Sequence, residues 1–168
     1  MRATVKRRRA VLLLQLLPLM LSCIRGEGLT LPRDASQVPP DQLQTLLQES
    51  SSGIDSRRRG VIRGEAEWSA FWDEVHSRRS PVPERPDVDF EQSMVIVASM
   101  GTRPTGGYEI TFDAVGRTGA DYHVVVRESA PGRSCGTTAA LTQPVTAVRV
   151  ARSDGNVSFI ERTSTLRC

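Results

Sequence analysis

Lysine is nearly missing from this chain: the single example, Lys6, lies at its very start, and every later positive side chain is an arginine. Histidine occurs only at His76 and His123, and cysteine only at Cys23, Cys135 and Cys168. These scarcities exclude a good deal. Neither histidine stands beside a nucleophile or in a metal-ligand spacing, so no Ser/His/Asp, zinc or phosphate chemistry can be given its residues. The chain is read as not an enzyme, with no catalytic residue, metal, cofactor or small-molecule substrate expected. Long apolar runs are scarce too. AVLLLQLLPLMLSCI at 10–24 has 15 residues, whereas about 20 are needed to cross a bilayer as a helix.

That run follows MRATVKRRR, and a basic segment leading into a short apolar one is the order of an export signal. A signal peptide over 1–22 is expected. It holds five basic groups and no acid, leaving 17 basic against 19 acidic groups in the remainder, net −2. The whole-chain pI near 9.1 thus belongs to the leader and gives no support for a nucleic-acid partner. Met20-Leu21-Ser22-Cys23 resembles a bacterial lipobox, which implies that Cys23 is acylated, palmitate being the label to follow. Each methylene of such a chain adds about 0.8 kcal/mol of membrane affinity when buried. Ile24 stands where an inner-membrane retention signal would place aspartate, so a lipid anchor in the outer membrane of the cell envelope is expected. Ordinary signal cleavage, giving a periplasmic or secreted protein, is the alternative.

In such a compartment Cys135 and Cys168 are expected as a disulfide; a nucleophilic Cys135 has no local base to serve it. Residues 23–59, rich in Pro, Ser, Gln and Gly, read as a flexible tether. One island in it is a short helix capped by Asp41 with Leu43, Leu46 and Leu47 on one face. Arg57-Arg58-Arg59 reads as a solvated boundary run. A domain over 60–168 follows. Trp68, Phe71, Trp72 and Val75 fall at helical spacing after Glu65 and Glu67, predicting a helix that packs through its aromatic stripe. Ser93 to Met100 is apolar throughout its centre, as a strand covered on both faces requires. Alternation then predicts strands through Tyr108, Ile110 and Phe112 and over 121–128. A final hairpin is predicted from 145–151 to 157–160 across Ser153-Asp154-Gly155-Asn156. The expected fold class is α+β, one N-terminal amphipathic helix on a mainly antiparallel sheet or sandwich of about six strands.

GTRPTGGYEITF at 101–112 is the most distinctive stretch. Gly101 and Gly106 have P-loop separation, but Gly107 and Tyr108 stand where lysine and Ser/Thr must be, and a strand follows in place of a helix. The physical reading is a stiff connection in which Pro104 fixes the chain and Gly106 and Gly107 leave backbone uncovered. Arg103, Thr105 and bare peptide groups are then presented for contact. A plain tight connection with Tyr108 entering the core is the competing reading.

With Asp89-Phe90 before the apolar strand, GTRPTGGYEI, Pro131-Gly132, Cys135, and Leu141-Thr142-Gln143-Pro144 leading into VTAVRV, residues 88–152 resemble the PrcB C-terminal domain family. The resemblance implies an exported bacterial module without catalytic activity, in a family named for a lipoprotein that stabilises a surface protease. A protein partner, a protease among the candidates, is expected, met through Arg103, Pro104, Thr105, Gly106, Gly107 and Tyr108. The loop also resembles the threonine-glycine wedge of chagasin-type cysteine protease inhibitors, which makes inhibition the alternative function.

Overall fold

The strand Ser93–Met100 (β4) shows in miniature how the molecule is layered. Its even-numbered residues Met94, Ile96, Ala98 and Met100 belong to one apolar cluster, and Val95 and Val97 belong to another. A strand's side chains alternate between faces, so β4 must be covered on both. In a computed structural model that describes residues 30–168, one face meets a second sheet and the other meets a helix.

The elements run β1 (Ser36–Gln37), a single 3-10 turn (Pro40–Gln42), β2 (Gln44–Glu49), β3 (Arg57–Ile62), α1 (Glu65–Val75), β4, β5 (Glu109–Thr118), β6 (Asp121–Pro131), β7 (Val145–Ala151) and β8 (Val157–Leu166). They form two four-stranded sheets, ordered β1-β5-β6-β8 and β2-β7-β4-β3. Every pairing is antiparallel except β6 with β8, which is parallel. Ile110, Val115, Tyr122, Val124 and Val126 of the first sheet pack on Met94, Ile96, Val148 and Val150 of the second. The outer face of the second sheet takes α1 through the expected stripe of Trp68, Phe71, Trp72 and Val75. Both indole N–H groups donate to the proline-rich strap that follows, Trp68 to the Pro86 carbonyl at 2.9 Å and Trp72 to that of Pro83 at 3.0 Å.

Three expectations are corrected. The helix is not N-terminal, because β1, β2 and β3 precede it, and the molecule is mainly sheet, with eight strands in place of about six. The helix expected around Leu43, Leu46 and Leu47 is strand β2, and the tether reading of 30–59 gives way to chain that is built into both sheets. A bulge between Thr45 and Leu47 breaks the strand's two-residue period, so the leucines acquire a spacing that imitates a helix face. Finally, β7 and β8 are not a hairpin. The turn between them is anchored to the β5–β6 turn, where the Asn156 N–H donates to Asp121 Oδ1 at 2.8 Å and the Ser153 hydroxyl donates to the Ala120 carbonyl. That attachment carries the chain across to the other sheet, where it lies parallel to β6. The signal peptide over 1–22 and Cys23 lie outside the described residues.

Candidate interaction site at the loop end

The 102–107 loop leaves β4 at Gly101, whose φ of 71° a side chain would strain. A Cβ there would also lie 2.8 Å from the backbone of Asp55 and Arg57. Thr102 is fastened at once: its N–H donates to the Asp55 carbonyl at 3.1 Å and its hydroxyl to Asp55 Oδ1 at 2.8 Å. The far side of the loop leans on the segment after Cys135. Arg103 and Thr142 exchange backbone hydrogen bonds of 2.7 and 3.1 Å, the Thr142 hydroxyl donates to the Thr105 carbonyl at 2.8 Å, and the Gly106 N–H donates to the Thr138 carbonyl at 3.0 Å.

The two glycines are demanded by this contact. A Cβ on Gly106 would stand 2.4 Å from Thr138 Oγ1, and Gly107 has φ 84° and would bring a Cβ within 3.1 Å of Pro131. The loop is therefore a clamped connection, yet Pro104 and Gly107 stay exposed while Thr105, Gly106 and Tyr108 are half-buried. Arg103 does not sit at the tip. Its guanidinium turns back to donate to the Met100 carbonyl at 2.8 Å, 5.9 Å from the centre of the Tyr108 ring.

The neighbouring 133–141 segment, which the sequence marks only by Cys135, supplies most of the exposed surface here. The expected Cys135–Cys168 disulfide holds one end of it, with Cα atoms 5.0 Å apart, and the Arg103–Thr142 bridge holds the other. Thr137, Thr138, Ala139 and Ala140 are exposed, and Leu141 is 65% exposed, a large apolar side chain left in solvent.

Below these loops a cleft of about 330 Å³ is lined by Met100, Arg103, Tyr108, Glu128 and the β8 residues 163–165. Its charged lining residues are Arg103 and Glu128, and Glu128 is held from behind by Arg57 and Arg59, so that the boundary-run reading of Arg57-Arg58-Arg59 is corrected. Strand alternation turns Arg58 to Glu74 of α1 in a two-pronged pair of 2.7 Å contacts, and turns Arg57 and Arg59 to the opposite face, toward the first sheet. Arg57 donates to Glu128 at 2.8 Å and to Glu161 at 2.7 Å; Arg59, only 11% exposed, donates to Glu161 at 3.0 Å and also reaches Glu128. Burial opposes the charge of Glu128, but Arg59 and Arg57 outweigh it and hold the carboxyl below its ordinary value. The missed signal was the alternation itself, since Arg57 and Arg59 lie in phase with Val61.

The fold and this end of it define a class: a two-sheet β module whose disulfide-bound loops form an exposed rim over an ion-paired cleft. Residues 94–151, from β4 to β7, match the family model described as PrcB C-terminal, the family that the sequence resembles. Nothing among curated proteins or solved structures matches the chain.

Proposed function

We propose that the protein is a non-catalytic, lipid-anchored module of the bacterial cell envelope that binds another protein, a secreted or surface protease being the first candidate. One observation carries this reading. The 102–107 and 133–141 loops are fixed to each other by hydrogen bonds, and the second is held also by a disulfide, yet they expose Pro104, Gly107 and Leu141. Rigid, small and apolar loop surface loses little entropy on docking, which favours contact with a partner. Leu141→Asp and Thr105→Arg should each weaken capture of the partner from detergent-solubilised envelopes by about tenfold or more, without changing thermal stability. A partner protease that is retained by both variants, and that keeps its abundance when this protein is deleted, counts against the proposal.

The exposed Pro104 and Gly107 also favour the alternative, inhibition of a papain-like protease by the loop acting as a wedge. Inhibition by the wild-type chain that Thr105→Arg abolishes would establish it. Anchoring is tested separately: palmitate incorporation should vanish in Cys23→Ala.

A further inference from the structure

Sheets end in edges, and the four edges of this molecule differ. β1 has two residues, β2 carries a bulge, and β3 opens with three arginines, all devices that discourage pairing with another chain. β8 is long and unbulged, with charge only at Glu161 and Arg162. It runs from Val157 to Leu166 without proline, glycine or lysine, and its register against β6 advances without a shift from Tyr122↔Val157 to Pro131↔Leu166. The Asn156 carbonyl accepts from the Tyr122 N–H at 2.8 Å and the Leu166 carbonyl from the Gly132 N–H at 3.1 Å, so the even-numbered residues turn their peptide groups to β6. In an extended strand the next residue points the opposite way. Phe159, Glu161, Thr163 and Thr165 therefore offer their N–H and C=O groups to the free edge, and among the described residues these groups have no backbone partner.

We infer that this edge accepts an extended segment of a partner protein, and that the segment carries a carboxylate beside Thr163. Charge selects the side chain. The ion-pair cluster beside it, of which Arg103 and Glu128 line the adjoining cleft, sets three guanidinium groups, Arg57, Arg59 and Arg103, against two carboxylates, Glu128 and Glu161. The Nε of Arg103 is buried without a hydrogen-bond partner, and Thr163 and Thr165, which face the cleft, are exposed. A second copy of this chain suits the edge less well. Antiparallel pairing about a two-fold axis opposes residues of the same face, and its two longest registers set Glu161 against Glu161 or Arg162 against Arg162. The inference rests on reading the protein as an interaction module but uses the β8 edge and the Arg103 guanidinium turned back beneath the loops, not their exposed tips.

The test is amide hydrogen exchange on the full chain with synthetic peptides of about nine alternating Thr and Val residues, a central position being Glu or Lys. In the free protein the N–H groups of Ile160, Arg162 and Ser164 should exchange slowly and those of Phe159, Glu161, Thr163 and Thr165 quickly. The Glu peptide should slow the second set by about tenfold or more, bind about tenfold more tightly than the Lys peptide, and lose binding when its alternate amides are methylated. Thr163→Pro removes an edge N–H and should abolish binding while leaving β6 paired. If that variant does not fold, the methylated peptide still decides. Thr105→Arg should leave edge binding unchanged, which separates this surface from the loops. Absence of binding, indifference to methylation, or concentration-dependent protection of the odd-numbered set in the free protein would each overturn the inference, the last by making a second copy the occupant.

Discussion

Gly107 and Glu128 set the loop end by opposite means, one by lacking a side chain and the other by holding a charge. Gly107→Ala would place a Cβ at φ 84° against Pro131, and should cost about 1–2 kcal/mol in chemical denaturation even if the loop shifts to admit it. The Glu128 carboxyl is held below its ordinary value of 4.5, so its contribution to stability is complete above that value and is lost as pH falls through the lower, folded one. The melting temperature should therefore drop on acidification below about pH 4.5, and the drop should be shallower in Glu128→Gln. Removing Arg59 leaves part of the carboxylate pair unanswered in a largely buried place; Arg59→Met should destabilise by about 2 kcal/mol, less than a lone buried pair would lose, because Arg57 remains.

At the level of elements, α1 and β4 were readable because burial decides each, on one face of α1 and on both faces of β4. The Trp68, Phe71, Trp72 and Val75 stripe has a single face to bury, and Trp68→Ala should cost about 3–5 kcal/mol, since the indole is fully buried and its N–H bonds the strap. β2 was misread because its bulge moves Leu46 and Leu47 out of alternation, so the residues that mark it imitate a helix. The destination of β8 was hidden for another reason. Ser153-Asp154-Gly155-Asn156 announces that the chain reverses, but the choice of sheet depends on Ala120 and Asp121, more than thirty residues earlier. The loop residues 103–108 were legible as a tight, glycine-dependent connection. Their clamp, Thr138 and Thr142, was not, because nothing local in those threonines records which backbone they will meet.

For the whole molecule, the Cys135–Cys168 bridge closes a loop spanning 33 positions and joins the end of β8 to the loop end. Loop-closure entropy of that size is worth about 3–4 kcal/mol, and Cys135→Ser should lower the unfolding free energy by up to that amount. The sheets are joined differently along their two long sides. On one, the chain itself passes from β1 to β2, and Gln48 adds a hydrogen bond to the Ile110 carbonyl at 2.8 Å. On the other, Arg57 and Arg59 reach from β3 to Glu128 and Glu161 on β6 and β8. The first side is a hinge made of covalent chain, the second a clasp made of protons and charge. Acid can undo only the clasp, so the molecule should yield in one direction, opening along β3 and β8 while the hinge stays shut. Hydrogen exchange at about pH 3–4 should then rise first in β3 and the neighbouring half of β8, before β2 or β5 responds.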